Sequence, residues 1–142
     1  MSDLFIDCSY GTSGDMLLAS LIDLGVPFKI IEESLAKLGI NSKFYLSIED
    51  SRNLGFKGKQ VKVNLIDKES KSMAWLEIKK FIIQSKLNEI VKNNALKVFE
   101  LIAKAESLVH GIDIDKVHFH EIGSMRNIIN VVGVCTALKY LD

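Results

Sequence analysis

Apolar and polar positions along the chain change their period several times, and each change marks an element. Leu4-Phe5-Ile6-Asp7-Cys8 is a short, apolar, β-prone run and predicts a buried strand. Ser9 to Gly14 is rich in turn formers, and a helix is predicted from about Asp15 to Leu24. Gly25 suits the left-handed position that closes a helix. Pro27 suits the first turn of a second helix, where its missing N–H would have no partner. Ile30, Ile31, Ser34, Leu35 and Leu38 carry that helix to Gly39. Phe44, Leu46 and Ile48 then alternate with polar neighbours, as do Val61, Val63 and Leu65, with Gly55 and Gly58 marking a hairpin-like connection between them. The charged stretch Asp67–Lys71 reads as loop. Helical spacing returns from Met73 through Ile82/Ile83. It continues from Leu87 to Val109 as one long helix or two abutting ones, ended by Gly111, and runs again from Met125 to Leu141.

The predicted order is strand, two helices, two strands, then helices. That is an α/β or α+β fold in which a small mixed sheet of about three strands packs against several helices. Without internal repeats or a linker rich in Pro, Gly or Ser, residues 1–142 read as a single domain.

Composition narrows the function classes. Hydrophobic residues make up 48% and charged residues 25% of the 142, so the chain has enough apolar surface to fold. Lys plus Arg equals Asp plus Glu, 18 against 18, which leaves no basic excess to neutralise a nucleic-acid backbone. Arg52, Lys57, Lys59 and Lys62 form a modest basic group without interleaved aromatics, a weak argument for nucleic acid. Cys8 and Cys135 sit near opposite ends, outside any C-x-x-C motif, and read as buried reduced thiols. Trp75 and the phenylalanines are expected in the core. No apolar run reaches the roughly 18 residues of a membrane span, and the acidic N-terminus has no signal-peptide pattern, so a cytoplasmic protein is expected.

Two stretches carry potential chemistry. The first is D-C-S-Y-G-T-S-G-D-M, Asp7–Met16, where a strand end, a glycine-containing loop and a helix start would make an anion site. Gly11 and Gly14 let a ligand approach the backbone, while Thr12 and Ser13 add hydroxyls. Asp7 and Asp15 could hold a cation or orient a sugar hydroxyl. The spacing is neither a Walker A motif nor G-x-G-x-x-G. Ser13 or Asp15 could equally be a plain helix cap.

The second stretch runs from Glu106 to Glu121 and contains all three histidines, His110, His118 and His120. Glu106 and His110 are four apart, on one helix face that continues the stripe through Phe99 and Ala103, so the pair is expected to point inward or into a cleft. His118 and His120 would project from the same side of an extended segment, with Phe119 on the other, and Glu121 follows. Imidazoles with carboxylates suit Ni, Zn, Fe or Cu, and neutral imidazole can act as a general base. Taken singly, each histidine could also be an ordinary cap or edge residue.

The two stretches together resemble the LarC family of nickel-insertion proteins. The motifs are D-x-x-x-G-x-S-G-D-M at Asp7–Met16, A-E-x-x-V-H-G at Ala105–Gly111 and V-H-F-H-E-I-G at Val117–Gly123, in order over essentially the whole chain. The resemblance is to the family's N-terminal region. It implies nickel insertion into pyridinium-3,5-bisthiocarboxylic acid mononucleotide, in a CTP-dependent chelatase (lyase) reaction of nickel-pincer cofactor biosynthesis. CTP, with Mg2+ or Mn2+, would be bound through a region absent here, supplied by a separate C-terminal subunit; a homo-oligomer is the other assembly expected. By resemblance, Asp7, Gly11, Ser13, Gly14 and Asp15 would serve the cofactor precursor, and His110, His118, His120 and Glu121 the metal. Local reading adds Thr12 to the first group and Glu106 to the second. The family pattern usually continues with two aspartates where this chain has Arg126 and Asn130. Other functions compatible with the residues are a non-catalytic metal- or partner-binding module derived from that family, and a nucleotide-binding phosphohydrolase.

Overall fold

The structure, a computed structural model, describes residues 3–66 and 72–142. The charged loop expected over Asp67–Lys71 lies outside the described residues. The elements follow in the order α1 (Gly14–Asp23), α2 (Phe28–Ala36), β1 (Phe44–Asn53), β2 (Phe56–Leu65), α3 (Trp75–Gln84), α4 (Glu89–His110) and α5 (Met125–Leu141), with a 3-10 turn at Ile114–Lys116. This is a mixed architecture of helices and one small sheet, as the periodicity predicts. The stretch from Leu87 to Val109 resolves into a single helix, closed by Gly111 in the left-handed conformation at φ 62°.

The sheet has two antiparallel strands rather than three. β1 and β2 pair from Phe44–Leu65 to Asn53–Phe56 around a two-residue turn, Leu54-Gly55, in which both residues have positive φ. Two of the four basic residues on this hairpin are paired with carboxylates across the strands. Lys59 Nζ lies 2.8 Å from Asp50 Oδ1, its direct cross-strand partner, and Lys62 Nζ lies 2.9 Å from Glu49 Oε2.

The missing strand is Leu4–Cys8. Among the described residues it forms no strand pairing, and Phe5 is 87% exposed. The segment shares a cleft with Leu17 and Leu21 of α1 and with Leu24 just past its end instead. An apolar run becomes a strand only where another strand offers its N–H and C=O groups. Here the segment lies against α1 and pairs with neither edge of the hairpin.

The core is organised around α5, which packs against α1, α2 and α4. Ile128, Ile129, Val132, Cys135 and Ala137 are buried there beside Leu18, Ile31, Leu35, Val91, Ala95 and Phe99. Burial of each large aliphatic or aromatic side chain stabilises the fold by about 1.5–3 kcal/mol relative to exposure. α1 approaches α5 closely: a Cβ on Gly133 would sit 3.0 Å from Leu18 Cδ2. One polar pair is built into this core, Ser34 Oγ and Thr136 Oγ1 at 2.8 Å.

Trp75, Phe44, Phe99 and Phe119 are in the core, whereas Phe5 and Phe56 are exposed. Cys135 is buried, as expected of a structural thiol, and burial pushes it up to about 11. Cys8 departs from expectation: it is exposed, because the segment carrying it has no sheet to cover it. No helix among the described residues is long and apolar enough to cross a membrane.

Candidate functional site

The early loop folds back on itself. Gly11 takes φ +78°, and its N–H donates to the Cys8 carbonyl at 2.9 Å, closing a tight turn. Asp7 Oδ1 accepts from the Ser9 N–H at 2.9 Å and also from the Ser9 hydroxyl. Those bonds, the hydroxyl first, hold the Asp7 carboxyl below its usual range. Thr12 Oγ1 donates to the Ser13 carbonyl at 3.3 Å. Ser13 is the N-cap of α1, with Oγ accepting from the Met16 N–H at 3.4 Å. Gly14 and Asp15 open the helix. Their N–H groups have no protein partner among the described residues, so the positive end of α1 is open. Gly14 is exposed and Asp15 half-buried.

A residue the motif reading treated only as a family difference lies against this loop. Asn130 of α5 is 5% exposed, and its Oδ1 has no hydrogen-bond partner among the described residues. A Cβ on Gly14 would lie 2.9 Å from Asn130 Cβ and 3.4 Å from Asn130 Nδ2, so any side chain at position 14 would collide with it. An unpaired buried amide oxygen costs about 1–3 kcal/mol. The sequence signal was a polar residue inside the apolar stripe of the last helix, between Ile129 and Val132. Arg126, one turn earlier on α5, is exposed and lines a cleft with Tyr45, Lys62, Val63, Asn64 and Leu65 of the hairpin.

The histidine segment is held as a strap between the 3-10 turn and α5. Val117 and Phe119 are 1% and 2% exposed, and Phe119 packs on Phe99 with ring centroids 6.3 Å apart. The alternation that buries them puts His118 and His120 on the solvent side, as the two-residue spacing predicts. Residues 72–75 tie the strap down. Trp75 N–H donates to Val117 O at 3.1 Å, and Ala74 bridges His118 in antiparallel register. Met73 N–H donates to Gly123 O at 3.0 Å, and the Ser72 hydroxyl donates to Phe119 O. Gly123 is required by this contact, since a Cβ there would lie 2.3 Å from Met73 O. Neither Ser72 nor Gly123 could be found from spacing, because their partners are distant in the chain.

Glu106 and His110 pair as their spacing predicts, with Oε2 and Nε2 3.1 Å apart. They do not point inward: their side chains are 31% and 55% exposed. Ala103 is the last buried residue of α4, and the helix outruns the core beyond it. Glu121 is exposed beside His120, and its carbonyl accepts from Asn127 Nδ2 at 3.0 Å. The expected convergence of Glu106, His110, His118, His120 and Glu121 is not found. Among the described residues no three His, Cys, Asp or Glu side chains come close enough to hold one metal ion. The cause is tertiary: Val117 and Phe119 are anchored in the core, which turns the strap's imidazoles out, while His110 lies on α4 beyond its last buried residue.

Comparison with known proteins places these motifs. The nickel insertion protein family matches residues 4–142. The chain belongs to that family. A pyridinium-3,5-bisthiocarboxylic acid mononucleotide nickel insertion protein of Clostridium kluyveri is 40% identical over 152 aligned positions, covering 99% of this chain and 38% of the relative. A protein of the same name from Akkermansia muciniphila is 38% identical, covering 99% of this chain and 36% of its own length. This nickel insertion family chain therefore spans little more than a third of these curated relatives. No solved structure matches it.

Proposed function

We propose that this chain acts in loading nickel into pyridinium-3,5-bisthiocarboxylic acid mononucleotide, as the metal-handling part of a larger CTP-dependent insertion system. Nickel is the cargo. His118 and His120, displayed side by side on the solvent face of a tied strap, are the observation that carries this reading. Imidazole nitrogen suits a borderline divalent ion, and two imidazoles leave most of its coordination positions free. The thiocarboxylate sulfurs of the precursor can then displace water from those positions and take the metal. Glu121 beside the strap, and the His110–Glu106 pair, are secondary ligands or relay points. The early loop, with Asp7, Gly11, Thr12, Ser13, Gly14 and Asp15, receives the precursor's mononucleotide end. CTP use, with Mg2+ or Mn2+, belongs to the part of the longer relatives that this chain does not span.

Calorimetric titration with nickel tests the reading. Saturable binding that weakens at least severalfold in a His118→Ala, His120→Ala double variant is expected. Equal binding by both proteins, or none by the natural chain, overturns it.

A further inference from the structure

We propose that the outer face of α4 is the surface through which two copies of this chain associate, helix against antiparallel helix. α4 carries two apolar faces. Val91, Ala95, Phe99 and Ala103 recur every fourth residue and are buried, on the side where α4 packs against α3 and α5. Val98, Leu101, Ala105 and Leu108 recur at alternating intervals of three and four, a heptad seam about a third of a turn round the helix from the core face. All four are exposed, Leu101 at 68% and Leu108 at 84%, and Val109 beside them is 80% exposed. A helix face made for water carries charged and polar residues at such positions, so a continuous apolar seam marks a surface that is covered in use.

The residues beside the seam point to a second copy as its occupant. Lys97 and Lys104 flank it on one side, Ile102 and Val109 on the other. Lys104 pairs with Glu100 of its own helix at 2.8 Å, and Lys97 makes no ion pair among the described residues. An antiparallel copy of the same helix complements all of this. With the two-fold axis level with Ala103, Val98 lies opposite Leu108 and Leu101 opposite Ala105, large against small, and each pair forms twice. On the apolar flank Ile102 meets its own copy. On the basic flank the two Glu100–Lys104 pairs come together at the axis as two negative and two positive charges. Lys97 comes level with the last turn of the other α4, where carbonyls without helical partners carry partial negative charge. A parallel pair would instead set Lys97 and Lys104 against Ile102 and Val109, with no anion to meet. Formal net charge is zero, so no long-range repulsion keeps two copies apart. The seam is short, so the interface falls below the roughly 1,600 Å² of a standard one, and association in the micromolar range is expected.

Sedimentation velocity of the full chain across the micromolar range tests the proposal, with a chelator present so that no metal held by histidines bridges two copies. A dimer that fills with rising concentration is expected. A Leu101→Gln, Leu108→Gln double variant should weaken it on the order of tenfold or more. At a concentration where the natural chain is monomeric, that variant should melt at the same temperature, because both leucines lie outside the core and glutamine keeps the helix. Leu108→Gln alone, beyond the last buried residue of α4, should weaken the dimer severalfold with the fold untouched. Lys97→Glu should also weaken it severalfold, by setting a carboxylate against the negative end of the other helix. A chain that stays monomeric throughout, or a dimer unmoved by the leucine changes, overturns the proposal. A dimer that responds to the leucines but is indifferent to Lys97→Glu overturns the antiparallel arrangement.

Discussion

Ser72 donates its hydroxyl to the carbonyl of Phe119, the residue that separates His118 from His120. The bond ties the histidine strap to the residues that enter α3, beside the Met73–Gly123 and Trp75–Val117 bonds. Ser72→Ala should lower stability by about 1 kcal/mol and raise amide exchange across the strap, because one tether is lost while Val117 and Phe119 stay buried. Gly123→Ala is the harsher change. Its Cβ would lie 2.3 Å from Met73 O, and backbone cannot swing aside as a side chain can. A loss of roughly 1–3 kcal/mol is expected. Thermal melts of both variants check the order. A Gly123→Ala protein as stable as the natural chain would show that the strap is not held against residues 72–75.

The hairpin turn offers a gain rather than a loss. Leu54 has φ 48° and is 93% exposed, followed by Gly55 at φ 87°. Two-residue turns of this kind prefer Asn-Gly, because asparagine tolerates the left-handed region that a leucine side chain resists. Leu54→Asn should raise stability by about 1 kcal/mol, read as a higher melting temperature with no change in the denaturant slope. A lower melting temperature would mean that Leu54 packs against something its exposure does not reveal.

Helices were legible wherever an apolar stripe ended in a recognisable stop. Met125–Leu141 is the helix its spacing predicts, and Gly111 closes α4 as its position suggests. The hairpin was legible from alternation at Phe44–Ile48 and Val61–Leu65. Leu4–Cys8 failed because composition reports β-propensity but not the presence of a partner strand. The site shows the same division. The Glu106–His110 pair and the shared side of His118 and His120 follow from local period alone. Whether those three histidines meet depends on where Phe119 and Ala103 are anchored, which is a tertiary fact. The Gly14–Asn130 contact joins residues 116 positions apart (130 − 14), beyond the reach of any local pattern.

The two thiols should behave oppositely. Cys8 is exposed, while Cys135 is buried on α5 with its thiol raised to about 11. Iodoacetamide near pH 8 should modify Cys8 readily and Cys135 only after denaturation, since the thiolate is the nucleophile. The raised value also sets an alkaline limit. The folded chain holds the Cys135 proton more tightly than the unfolded chain, whose thiol titrates near 9.0. The associated stability is whole below that pH and is lost as pH rises from there to about 11, a total of roughly 2–3 kcal/mol. Urea melts at pH 8 and pH 10.5, compared between the natural chain and Cys135→Ala, isolate this part. An identical pH slope in the two proteins would sink the assignment.

The buried pair between α2 and α5 invites a double-mutant cycle. Ser34 Oγ and Thr136 Oγ1 lie 2.8 Å apart, and Thr136 Oγ1 also reaches Val132 O at 2.8 Å. Thr136→Val keeps shape but leaves the buried Ser34 hydroxyl without its partner, which should cost about 1–3 kcal/mol. Ser34→Ala is expected to cost less, because Thr136 keeps its bond to the α5 backbone. Once Ser34 is alanine, adding Thr136→Val strands no partner, so the double variant should be more stable than the sum of the single losses predicts. Chemical denaturation of the three variants measures the coupling. Strict additivity would mean that the two hydroxyls satisfy themselves elsewhere and that α2 docks on α5 through its apolar face alone.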